Sequence, residues 1–126
     1  MTIPVMSETV YAAAGGVFSE PWLLDAALAT SVIETPVFWL CGYRRAFQCL
    51  CFAGVNLVTN LLLNEGLASQ AGLGHYEQAV AVGEALVLAA EFALARCFTQ
   101  GSAGRLFLTV AATNLASFLA GIVLFW

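Results

Sequence analysis

The sequence contains no lysine, one histidine (His75) and only four arginines, Arg44, Arg45, Arg96 and Arg105. Charged residues make up 10% of it, where a soluble domain carries roughly 25%. So few charges cannot cover a water-facing surface, and the composition argues against a soluble globular domain. The formal net charge of −4 argues against a nucleic-acid partner and against polybasic attraction to anionic lipid. No Lys or Arg lies ahead of Glu20, so no positive n-region precedes an apolar segment and no secretory signal peptide is expected. With a single histidine, the chain cannot supply two histidine ligands to a haem. The sequence also has no nucleophile–base pair, Walker loop or paired metal-binding histidines. It therefore points to no enzyme and implies no cofactor.

What fills the chain instead is apolar: 61% of residues, gathered into long runs. Four segments meet the length of about 20 residues that a membrane-crossing helix needs. They are Trp22–Tyr43, Ala46–Asn64, Ala79–Phe98 and Leu106–Trp126. The fold class is all-α, a polytopic membrane protein formed by a single membrane domain. Ser19-Glu20-Pro21 suits the start of the first helix, with a capping hydroxyl, an early acid and a proline in the opening turn. Residues 1–20 read as a tail or as an interfacial segment carrying Val5, Met6, Val10 and Tyr11.

The connections differ in kind: "GYRRAF" is a tight hairpin, "NEGLASQAGLGHYEQ" an acidic loop with Gly and Ser, and "TQGSAGR" a short polar turn. All four arginines fall at the first and third connections. Glu8, Glu20, Glu65, Glu77 and His75 fall on the other side. The positive-inside rule then places both termini outside and the two arginine-bearing hairpins in the cytoplasm.

A repeat runs through this pattern. "NLVT" at Asn56–Thr59 matches "NLAS" at Asn114–Ser117, and a glutamate stands almost equally far upstream of each, Glu34 and Glu91. Each half reads Glu-helix, basic turn, Asn-helix. Two helices per repeat insert the same way up, so the expected architecture is two tandem parallel helical hairpins with a pseudo-twofold axis along the membrane normal. At about 1.5 Å per residue, Glu34, Asn56, Glu91 and Asn114 crowd the midplane and should face one another.

Intramembrane acids are functional-site candidates, because burying them is costly. Glu34, Glu91 and Glu84 have no Lys or Arg inside the membrane to pair with. Three such acids cannot all stay ionised in a dry core. Asn56, Asn60 and Asn64 share a helical face at i, i+4 and i+8, as do Glu84 and Glu91 at i and i+7. The expected site is a ladder of Glu34, Glu91, Asn56 and Asn114 at the centre, with Glu84 and Asn60 lining the approach from outside. Pro36 lacks an N–H, so the carbonyl of Val32 loses its helical partner. That carbonyl is either a cation ligand beside Glu34 or part of an ordinary kink.

Cys41, Cys49, Cys51 and Cys97 cluster on the arginine side, where cysteine serves as a small apolar residue. The rotation between Cys49 and Cys51 on a helix keeps both from reaching one metal. Ala85, Ala89 and Ala93 form a small-residue stripe, and Ser117 and Gly121 a small-xxx-small pair, both suited to close helix packing within the bundle or between subunits.

The combination of "ETP", "NLVTN", the two acids of the third span and "NLAS" resembles uncharacterised small bacterial four-helix integral membrane proteins. That resemblance covers most of the chain beyond residue 25. It implies the bacterial plasma (inner) membrane and brings no ligand or activity.

The expected function is transport-type: binding or conducting a cation, a cationic solute or protons at the Glu/Asn cluster, in a homo-oligomer or beside other membrane subunits. The alternative is a non-catalytic subunit or assembly factor of a larger membrane complex. A membrane enzyme using Glu84 and Glu91 as acid–base groups would lack a positioned nucleophile.

Overall fold

A computed structural model of the chain describes residues 21–70 and 74–125. The N-terminal tail or interfacial segment and the Ser19-Glu20 cap lie outside these residues. The described part is all-α: α1 (Pro21–Leu40), α2 (Ala46–Gln70), α3 (Tyr76–Ala95) and α4 (Ala103–Phe125). All four are long and apolar enough to cross a membrane, as in a multi-pass membrane protein. In hydrocarbon each backbone N–H and C=O must find its partner within its own segment, and the helix supplies that.

The ends of the helices differ from the apolar runs. α1 stops at Leu40, short of Tyr43, because Gly42 takes φ +106°, a conformation that favours glycine. α3 ends at Ala95, and Arg96–Phe98 form a turn before Gly101 at φ +111°. α2 runs past Asn64 to Gln70. The polar stretch "EGLASQ" is rich in residues that form helices readily, so the helix outlasts its hydrophobic part.

Each helix packs on two neighbours. α1 touches α2 and α4, and α3 touches α2 and α4, which closes a ring in the order α1–α2–α3–α4. Its outside is apolar: Val123 is 80% exposed, Leu50 73% and Val32 71%. Its inside is where the polar groups lie, with Glu34, Asn56, Glu91 and Thr113 fully buried. A water-soluble bundle has the opposite polarity. The arrangement matches a hydrocarbon surrounding.

The apolar core sits towards the end that carries the arginines. Phe38, Tyr43, Phe52, Ala95, Leu106 and Val110 form one buried cluster. Phe38 stacks on Phe52 with ring centroids 4.0 Å apart and on Tyr43 at 4.6 Å. Phe38 is one turn beyond Glu34 on α1, so this aromatic stack separates the central polar groups from the arginine end.

Candidate functional site

α1 and α3 each bring one glutamate to the bundle axis, and α2 and α4 each bring an asparagine. Asn56 Nδ2 donates to Glu34 Oε2 at 2.8 Å across 22 residues of sequence. Asn114 Nδ2 donates to Glu91 Oε2 at 2.6 Å across 23. These two bonds lie within the first and second hairpins respectively.

Two hydroxyls bind across the hairpins. Thr59, three residues beyond Asn56, donates to Glu91 Oε1 at 2.8 Å. Ser117, three residues beyond Asn114, donates to Glu34 Oε1 in a short bond. Every carboxyl oxygen of the two acids thus meets a donor, one amide and one hydroxyl for each acid. Thr113, fully buried on α4, also lies within reach of the Glu34 carboxyl.

Asn60 ties the two acids together from one helix. Its amide donates to Asn56 Oδ1 at 2.8 Å and lies 3.4 Å from Glu91 Oε1. The path Glu34–Asn56–Asn60–Glu91 therefore runs along α2. α4 has no equivalent, since Phe118 stands at the matching place.

The hydroxyls have a second choice of acceptor. Thr59 Oγ1 is 2.9 Å from the Val55 carbonyl, and Ser117 Oγ is 3.0 Å from the Asn114 carbonyl, both on their own helices. One hydroxyl proton serves one strong bond at a time. Each hydroxyl can donate to an ionised carboxylate. Alternatively it can turn to its own helix and accept a hydrogen bond from a protonated carboxyl.

Five of the six expected site residues, Glu34, Glu91, Asn56, Asn114 and Asn60, are joined in this network. Glu84 stands apart: it is half-buried on α3, two turns from Glu91, close enough to feel both other carboxyls. Thr59, Ser117 and Thr113 are additions. The signal for Thr59 and Ser117 lay in the last position of "NLVT" and "NLAS", and Ser117 proves to be a glutamate ligand as well as a small packing residue.

Two other expectations change. Val32 is 71% exposed and Pro36 is exposed too, whereas Glu34 is fully buried. The carbonyl freed by Pro36 therefore lies on the outward face of α1, away from Glu34. Ala85, Ala89 and Ala93 all point outwards, so their stripe does not pack within the bundle. Thr35, next to Glu34, has a buried hydroxyl with no hydrogen-bond partner.

Among the described residues no group of three His, Cys, Asp or Glu side chains is placed to hold a metal ion. Comparison with known protein families, with curated proteins and with solved structures finds no match for the chain.

Proposed function

We propose that the protein is a small transport-type membrane protein that moves protons through Glu34 and Glu91. One observation carries this: each buried carboxylate is paired with a hydroxyl that has an alternative acceptor on its own helix. A proton can join or leave either acid while every polar atom keeps a partner. That lowers the cost of changing charge in a medium where an unpaired polar group is expensive. A metal or organic cation is less well suited, because the amides of Asn56 and Asn114 present N–H groups to the carboxylates and would have to be displaced.

In this function Glu84 and Asn60 line the approach from the acidic end, and the Phe38–Phe52 stack closes the other. The two hairpins are a tandem duplication with a pseudo-twofold axis along the membrane normal. The matched Asn–Glu bonds within hairpins and hydroxyl–Glu bonds between them support that origin. The membrane is the bacterial plasma membrane, with both termini outside and the arginines in the cytoplasm by the positive-inside rule. Four helices are few for a gated path, and the outward Ala85/Ala89/Ala93 stripe suits a homo-oligomer.

The test is proton uptake by proteoliposomes under an imposed potential, read with an internal pH dye. The parent protein should acidify the lumen, and E34Q and E91Q should not. Absence of flux from the parent, or parental flux from both variants, would overturn the proposal.

A non-catalytic subunit or assembly factor is favoured by a different observation: the network is satisfied wholly within the chain, as a structural lock requires. Purification from native membrane separates the two functions. A stoichiometric large complex that dissociates in the Gln variants would favour the subunit role.

A further inference from the structure

The net negative charge of the chain hides a strong segregation. No Asp or Glu occurs between Glu34 and Glu65, and none after Glu91. The end of the bundle formed by the α1–α2 and α3–α4 turns therefore holds all four arginines and no acid. Protein carbonyls and rings occupy some of these cations. Arg105 Nη2 donates to the Cys41 carbonyl at 2.9 Å and its guanidinium lies 5.6 Å from the Tyr43 ring, while Arg96 Nη1 donates to the Gly101 carbonyl at 3.1 Å. None of these partners cancels charge.

Between the two turns lies a cavity of about 200 Å³. Arg45 and Arg105 line it from the two hairpins, with Gln48, Gln100 and Ser102 between them. Two helices begin at its wall: the first bonded N–H of α2 is that of Cys49, to Arg45, and that of α4 is Leu106, to Ser102. The N–H groups ahead of these have no partner within their helices and carry the positive end of the helix dipole; that of Arg105 donates to Ser102 Oγ at 3.4 Å.

Gln48 is the independent indication of a ligand. Its side chain is 9% exposed, yet it lines the cavity and makes no hydrogen bond to the described protein. Its amide opens to the cavity, and a ligand there that accepts its N–H would give the group a partner.

We infer that this cavity binds a phosphate-bearing anion between Arg45, Arg105 and Gln48. The site is separate from the Glu34–Glu91 network and does not depend on what that network does. A tetrahedral oxyanion suits it: two guanidiniums from different hairpins, the N–H groups of a carboxamide and two helix N-termini can donate to it, and no carboxylate opposes it. The phosphate belongs either to a phospholipid headgroup at the membrane surface or to free inorganic phosphate.

Binding is measured by ³¹P relaxation, with the protein in a phosphate-free maltoside detergent. The probes are dihexanoyl-phosphatidylglycerol and inorganic phosphate. A saturable site is expected, with affinity about tenfold weaker in both Q48L and R45Q. Arg45 makes no contact that holds the fold, so R45Q keeps the test valid should Q48L misfold. Binding of the lipid alone assigns a headgroup site, and displacement of the lipid by inorganic phosphate assigns a site for the free anion. Failure of both probes to bind the parent, or parental affinity in both variants, overturns the inference.

Discussion

Asn56 and Thr59 lie one turn apart on α2 and hold different glutamates, Asn56 binding Glu34 and Thr59 binding Glu91, each at 2.8 Å. Asn114 and Ser117 on α4 do the same in reverse. The two hairpins are therefore joined through their acids, and the joints are hydrogen bonds without a compensating cation.

Glutamine at position 34 or 91 should fold and alanine should not fold as well. A Gln amide can donate to the turned hydroxyl and accept from the Asn, reproducing the protonated acid, so stability should stay within about 1 kcal/mol of the parent. Alanine takes the carboxyl acceptor from the Asn amide and removes buried volume, at a cost of about 1–3 kcal/mol, while the hydroxyl keeps the carbonyl of its own helix. Unfolding of E34Q, E34A, E91Q and E91A in mixed micelles measures the difference. Equal losses for Gln and Ala would show that the hydroxyls do not turn.

The hairpin-to-hairpin bonds should appear as pairwise couplings. Interhelical hydrogen bonds in membranes average about 0.6 kcal/mol, with a maximum near 1.7. A double-mutant cycle of E34Q with S117A should give a coupling in this range. The control cycle E34Q with T59V, whose hydroxyl binds the other acid directly, should give a smaller value.

Two glycines should respond in opposite ways. Gly42 has φ +106°, and an added Cβ would strike the Arg105 guanidinium. G42A should lose about 1–2 kcal/mol from the left-handed conformation alone. Gly54, in the middle of α2, has open space around it, and G54A should gain up to about 1 kcal/mol. Thermal melts of the two variants decide the matter.

Cys97 reports orientation. It is the exposed cysteine of the four and sits in the turn at the arginine end. A membrane-impermeant maleimide should label it in inside-out vesicles and leave it unmodified in intact cells. Labelling only in intact cells would reverse the orientation.

The helices and the Glu–Asn pairs were legible in the sequence, because hydrophobic length defines a membrane helix and an intramembrane acid demands a donor. The phase of each helix was harder to read. In a soluble bundle apolar residues mark the inner face, but here the outer face is apolar too, so only polar residues mark the inside. Ala85, Ala89 and Ala93 carried no such mark and turned outwards. Thr59 and Ser117 carried one, but Thr and Ser also bond to their own helix carbonyls. Nothing local distinguished that use from a bond to an acid on another helix. The extension of α2 to Gln70 was missed for a related reason: hydropathy locates the hydrocarbon boundary, and a helix need not stop there.

The crossed hydrogen bonds also constrain motion. α2 reaches Glu34 and Glu91, and so does α4, while α1 and α3 are each gripped by both amide helices. Rotating α2 or α4 would change the surroundings of both acids in the same movement. Through these bonds the bundle works as a single mechanical element with two coupled charge sites. In the proposed proton path, charge arriving at Glu34 would reach Glu91 as a change of geometry as well as of field.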